Sequence, residues 1–149
     1  VPGYEAPVYI GWAQTNRSAL IRIPRHIEGR DKAVRAEVRF PDPSANPYLA
    51  FAVLLGAALD GIDNELAVPE GLNDVNIYHL TPEERAEMGI EALPGSLAEA
   101  MRELEKDEVI KAALGASTYE SFSRAKWAEI EEHRMKVSDW EVERYLETA

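Results

Sequence analysis

A chain of 149 residues, 46% hydrophobic and 29% charged, has the apolar content of a packed domain, which excludes disordered, collagen-like and linker classes. Its 27 acidic side chains outnumber 16 basic ones, and the net charge of −11 argues against nucleic acid or an anionic membrane as the main partner. With no cysteine, disulfides, thiolate metal sites and cysteine nucleophiles are also excluded.

The charge is divided unevenly. Residues 1–40 hold seven basic side chains against four acidic ones, leaving nine basic against 23 acidic in the remainder. A cationic segment joined to an acidic body suggests a local anionic ligand, with fluctuation among surface residues as the plain alternative.

In chain order, residues 6–12 are rich in β-formers, 18–23 alternate, and 34–40 alternate most cleanly. There Val34, Ala36, Val38 and Phe40 fall on one face of a strand, and Arg35, Glu37 and Arg39 on the other. Asn46 is placed to cap a helix with Pro47 at its first position, and the apolar run Tyr48 to Leu59 predicts a buried helix ending near Asp60-Gly61. At about 1.5 Å per residue that helix is too short to cross a membrane. Residues 63–80 read as an exposed excursion pinned by Ile77, Tyr78 and Leu80. Four helix starts with capping-box spacing follow: Thr81 with Glu84, Ser96 with Glu99, Ser117 with Glu120, and Ser138 with Glu141. The expected class is α+β, with antiparallel strands packed by helices and a helical C-terminal half.

The three histidines are far apart in sequence, and no P-loop, Rossmann turn or nucleophile elbow is present. A nucleotide site would have to be built from arginines and carboxylates on strands. The row Arg35, Glu37, Arg39 suits such a site, since guanidinium binds phosphate or carboxylate bidentately and a carboxylate can hold Mg²⁺ or Mn²⁺. A solvated sheet face with cross-strand ion pairs is the competing account. Arg17 and Arg22 fit either a ligand or a snorkelling surface arginine, and Glu5 sits in a Gly/Pro-punctuated loop that suits a lid or a plain turn.

Four motifs separate these accounts. Val1-Pro2-Gly3-Tyr4-Glu5-Ala6-Pro7, Asn16-Arg17-Ser18 through Arg22-Ile23-Pro24, Glu37-Val38-Arg39-Phe40-Pro41-Asp42-Pro43 and Asn46-Pro47-Tyr48-Leu49-Ala50 resemble, in order and spacing, the C-terminal catalytic region of type I glutamine synthetase. The resemblance runs the whole chain, is densest over the first 62 residues, and corresponds to roughly the last third of a family member. It implies ATP-dependent condensation of glutamate with ammonia through a γ-glutamyl phosphate, in a cytoplasmic dodecamer of two stacked hexamers.

By the same resemblance, Glu5 is the flap glutamate that closes the site and Arg17 faces the transferred phosphoryl group and substrate. Arg22, Lys32 and Arg35, with Arg17, lie toward ATP; Glu37 is a metal ligand; and Arg39 joins Glu5 and Arg17 in binding glutamate. The family's other metal ligands and its N-terminal domain belong upstream of Val1, so the 149 residues alone are expected to be inactive. Tyr78 stands where one branch of the family is adenylylated, but His79-Leu80-Thr81 departs from that branch's motif, and a packed anchor is the expected role. A polyamine-type glutamate–amine ligase and a non-catalytic assembly fragment remain alternatives.

Overall fold

The computed structural model describes residues 7–16, 18–29, 31–73 and 75–146. The chain divides into two compact units, Val1–Gly95 and Ser96–Ala149.

The first unit carries a three-stranded sheet of very short strands: β1 (Trp12–Ala13), β2 (Ile21–Arg22) and β3 (Glu37–Val38), in that spatial order. β2 and β3 are antiparallel, with Ile21 opposite Val38 and Arg22 opposite Glu37. The α+β class holds, but the expectation of antiparallel strands does not extend to β1, which pairs with β2 in parallel. The turn between them is tied down rather than crossed over by a helix. Asn16 Nδ2 donates to the carbonyls of Leu72 and Val75 at 3.0 and 2.7 Å, and its Oδ1 accepts from the Ser18 backbone N–H at 3.0 Å. Ile21 and Ile23 then donate to the carbonyls of Gly11 and Ala13.

The core of this unit is small. Leu72, Ile77 and Ile90 are buried together, with Tyr9, Val75 and Leu80 packed against them. Ile77 sits on a short 3₁₀ turn, Ile77–His79, so the 63–80 excursion is pinned where the sequence predicts. Tyr78 meets Tyr9 edge-to-face at 5.7 Å between ring centroids, the geometry favoured by aromatic quadrupoles.

Helix α1 (Pro47–Asp63) starts as expected, with Asn46 Oδ1 accepting from the backbone N–H groups of Tyr48 and Leu49. It corrects the sequence reading in one respect: none of its residues is buried. Tyr48, Phe51, Leu55, Leu59 and Ile62, spaced to fall on one helical face, are 48 to 84% exposed. The apolar side of the sheet is likewise open, with Ile10, Ile23 and Phe40 lining an apolar concavity of about 440 Å³. α2 (Pro82–Glu87) closes the unit with a full capping box between Thr81 and Glu84.

The second unit is helical: α3 (Leu97–Lys106), α4 (Glu108–Leu114), α5 (Ala116–Arg134) and α6 (Asp139–Tyr145). α3, α4 and α5 pack on one another, and Met101 is buried. Ser96 caps α3, and Ser138 with Glu141 forms a full capping box on α6. Ser117 does not cap α5. That helix already begins at Ala116, because Gly115 makes the break at φ +75° and ψ 149°, a conformation open to glycine. Leu97, Met101 and Leu104 on α3 are separated from Ile110 and Leu114 on α4 by Asp107, whose carboxylate accepts from the Ile110 N–H and starts α4.

Candidate active site

Alternation on β3 and its register with β2 build the charged face. Arg22 and Glu37 are directly opposite each other, so their side chains share one side of the sheet. Arg22 Nη1 donates to Glu37 Oε2 at 3.0 Å, and Arg35 Nη2 donates to Glu37 Oε1 at 3.1 Å. Each carboxylate oxygen therefore has its own guanidinium. The Arg22 hydrogen bond, with the nearby Arg35, holds the Glu37 carboxyl below the usual carboxylate range despite partial desolvation. Arg35 also donates to the Ala33 carbonyl at 3.2 Å, which fixes its direction. Arg22 Nε is buried and has no hydrogen-bond partner.

Arg39 is half-buried and follows directly after β3. Its backbone N–H bonds to the Leu20 carbonyl at 2.9 Å, and its Nη1 donates to the Ala19 carbonyl at 3.3 Å. It is an electrostatic neighbour of Tyr78: burial pushes the Tyr78 hydroxyl above the ordinary phenol value, Tyr9 adds to this, and Arg39 opposes it.

The structure thus brings Arg22, Arg35 and Glu37 into one bonded group and orders Arg39 just past β3. Lys32, exposed on the 3₁₀ turn Asp31–Ala33, makes no bond to that group among the described residues. Glu5 and Arg17 lie outside the described residues. The positions flanking Arg17 line an open concavity of about 600 Å³ with Asn73, Asn76 and Tyr78. Asn16, named in the sequence only as part of a motif and given no role there, ties this segment down. Its signal was an Asn two residues before a Ser at the end of an extended run, the pattern of an Asx turn.

As a cation site the described residues are insufficient by themselves. Glu37 offers hard oxygens, but both are held by guanidinium groups, and no group of three or more His, Asp or Glu suited to a metal occurs among the described residues. What the arrangement can do is compensate concentrated negative charge, with two guanidiniums on a single carboxylate and a third, that of Arg39 just past β3, on the Ala19 carbonyl.

A family model described as "Glutamine synthetase, catalytic domain" matches residues 1–145. The chain belongs to the glutamine synthetase family. A glutamine synthetase of Thermotoga maritima is 55% identical over 146 residues, covering 98% of this chain and 32% of its own. One from Methanocaldococcus jannaschii is 51% identical over the same share of this chain and 31% of its own. The chain therefore spans about a third of the length of these curated relatives.

Two solved structures share the fold. One, described as a GmaS/ADP complex, is 36% identical with a TM-score of 0.73, covering 95% of this chain and 30% of that one. The other, a Plasmodium falciparum glutamine synthetase, has a TM-score of 0.75 at 20% identity, covering 97% and 35%, and speaks to the fold alone.

Proposed function

We propose that this chain is the C-terminal portion of a glutamine synthetase catalytic domain, whose parent joins ammonia to glutamate at the expense of ATP. In that reaction ATP phosphorylates the γ-carboxylate of glutamate, and ammonia then displaces phosphate from the acyl phosphate. Phosphoryl transfer asks little covalent chemistry of a protein but much positive charge, placed in advance around the migrating group. The observation that carries the reading is the charged face of β2 and β3, where Arg22 and Arg35 are already oriented by shared hydrogen bonds.

Within this proposal Arg22 and Arg35, with Arg17 and Lys32, take the ATP side, while Arg39, Arg17 and Glu5 hold glutamate. Glu5 closes the site and accepts a proton as ammonia attacks. Glu37 contributes one oxygen ligand to Mg²⁺ or Mn²⁺, the others coming from the part of the relatives that this chain does not span. The parent works in the cytoplasm as a dodecamer. No helix among the described residues is long and apolar enough to cross a membrane.

The open surfaces of the first unit support reading the chain as a portion of a domain. The bare stripe of α1 and the uncovered apolar side of the sheet are surfaces that the remaining two thirds of a relative would cover. The 149 residues alone should then make no glutamine, and a measurable rate from the purified chain without a complementing polypeptide would falsify the assignment of missing parts.

In a complete family member, Ala at the position matching Arg39 should raise KM for glutamate about tenfold to a hundredfold, the loss of a charge-assisted bond worth roughly 1.5 to 3 kcal/mol. An unchanged KM would remove Arg39 from substrate binding and favour the assembly-fragment account. Comparing ammonia with larger amines in the same protein separates the synthetase from an amine ligase.

A further inference from the structure

We infer that Asn16 is a positioning residue for Arg39: it fixes residues 18–20, on whose carbonyls Arg39 rests, and thereby sets the affinity for glutamate. The inference rests on the reading of Arg39 as a glutamate-binding residue and names what holds that residue in place.

Two sets of hydrogen bonds, joined through a short run of backbone, carry it. On one side the whole side-chain capacity of Asn16 is taken up. The two hydrogens of Nδ2 go to the carbonyls of Leu72 and Val75 at 3.0 and 2.7 Å, while Oδ1 accepts from the Ser18 N–H at 3.0 Å and from the Ser18 hydroxyl. The clasp is reciprocal, since Asn73 Oδ1 accepts from the Gln14 N–H at 2.7 Å. On the other side, Arg39 bonds to the next two residues of the same run. Its Nη1 donates to the Ala19 carbonyl at 3.3 Å and its backbone N–H to the Leu20 carbonyl at 2.9 Å. Ala19 and Leu20 are buried, so a change in the turn at Asn16 passes into their carbonyls instead of being absorbed at the surface.

The geometry selects asparagine. Aspartate would keep the acceptor for Ser18 but present no donor to two carbonyls, serine would hold Ser18 without reaching residues 72 and 75, and glutamine would lengthen the closed turn by one methylene. Residues 72–75 lead into the 3₁₀ turn that carries Tyr78, an electrostatic neighbour of Arg39, so both segments joined by the clasp bear on that arginine. Arg22 is held differently. It lies on β2, where Ile21 and Ile23 donate to the Gly11 and Ala13 carbonyls and β3 pairs along the other edge. Loss of Asn16 should therefore loosen Arg39 and leave Arg22 in place, a division that general unfolding would not produce.

The test has two arms. In the full 149-residue chain, amide hydrogen exchange followed by NMR should show Asn16→Ala speeding exchange at Ser18 and Arg39 about tenfold or more, while Ile23 keeps its protection. In a complete family member with asparagine and arginine at the matching positions, the counterpart of Asn16→Ala should raise KM for glutamate about threefold to tenfold, with KM for ATP unchanged. The counterpart of Asn16→Ser, which keeps an acceptor for the next N–H but one, should fall between native and Ala, and it serves if circular dichroism shows the Ala variant unfolded. Added to the counterpart of Arg39→Ala, neither change should raise KM further, because a residue acting through Arg39 has no effect once that side chain is gone.

Three kinetic results would overturn the inference alone: an unchanged KM for glutamate where the Arg39→Ala counterpart raises it, equal rises for glutamate and ATP, or fully additive effects in the double variant. Unaltered exchange at Ser18 and Arg39 would overturn it as well. If the Arg39→Ala counterpart leaves KM for glutamate unchanged, the glutamate-binding reading and the inference fall together.

Discussion

The two units solve the problem of burial in opposite ways. In Ser96–Ala149, α3 is a mostly polar helix, yet it buries Met101 because α4 and α5 lie against it. In Val1–Gly95, α1 is far more apolar and buries nothing. Composition reports what a helix needs, whereas burial depends on whether a partner is there to meet it. Their charges differ in the same sense. The second unit pairs charges one turn apart on single helices, as in Lys106–Glu103, Lys126–Glu129 and Arg134–Glu131, and such pairs are worth a few tenths of a kcal/mol. The first unit ties Arg22 to Glu37 across fifteen residues of sequence, so that pair exists only when the sheet is formed.

The largest expected effect tests the contrast in burial directly. Met101→Ala should cost about 2 to 5 kcal/mol of stability, as should Ile77→Ala in the small core of the first unit, while Leu55→Ala on α1 should stay within about 0.5 kcal/mol. Urea unfolding of the three variants measures this. If Leu55→Ala costs as much as Met101→Ala, α1 is covered in solution, by a second copy or otherwise, and the contrast fails. In a complete family member the matching substitution should become as costly as the others.

A smaller effect tests how the second unit is assembled. At φ +75° and ψ 149°, Gly115 separates α4 from α5, and Ala there should cost about 1 to 3 kcal/mol from backbone strain, although no neighbouring atom lies where its Cβ would go. Thermal unfolding would check it. A neutral substitution would mean that the α4–α5 junction relaxes freely, leaving contacts among α3, α4 and α5 to hold the unit without a fixed turn.

These sites also mark how far the sequence could be read. The strand expected over residues 34–40 was legible only at its centre, Glu37–Val38, where the β2–β3 register supplies the pairing that a period of two alone does not. Three helix starts were legible at Thr81, Ser96 and Ser138 because capping is a local transaction between side chain and backbone, as it is at Asn46. Ser117 has the same spacing but lost to Gly115, whose backbone conformation ended one helix and began the next before a cap was needed. Asp107 was missed because it caps without a glutamate three residues on. The exposure of α1 was not legible from its own residues, since burial belongs to the partner as much as to the helix. The parallel pairing of β1 with β2 depends on Asn16 reaching carbonyls 56 and 59 residues away, and no local pattern encodes that reach. At the site, residue types were legible, but the two-handed grip on Glu37 was not, because it requires the β2–β3 register.

The smallest expected effects come from titration, and they sharpen the electrostatic half of the comparison. The Glu37 carboxyl is held below its ordinary value, with the Arg22 hydrogen bond the main cause, so folding favours its ionised form. Its contribution to stability is present above the unfolded carboxylate pKa and is lost as pH falls through the lower folded value. Lys111 goes the other way: a hydrogen bond to Glu108 raises it, so its contribution is full below the ordinary lysine value and is lost as pH rises through the folded one. The consequences should differ in reach. Acid should release Arg22 and Arg35 together, since one carboxylate holds both, and their Nε–H resonances should move with a single midpoint. Alkali should disturb Lys111 with its contacts at Glu108 and the Tyr119 ring, leaving the sheet untouched. Separate midpoints for Arg22 and Arg35 would show that Glu37 does not join them into one unit, and the cross-strand group would then be no more than two surface pairs of the kind the helices carry.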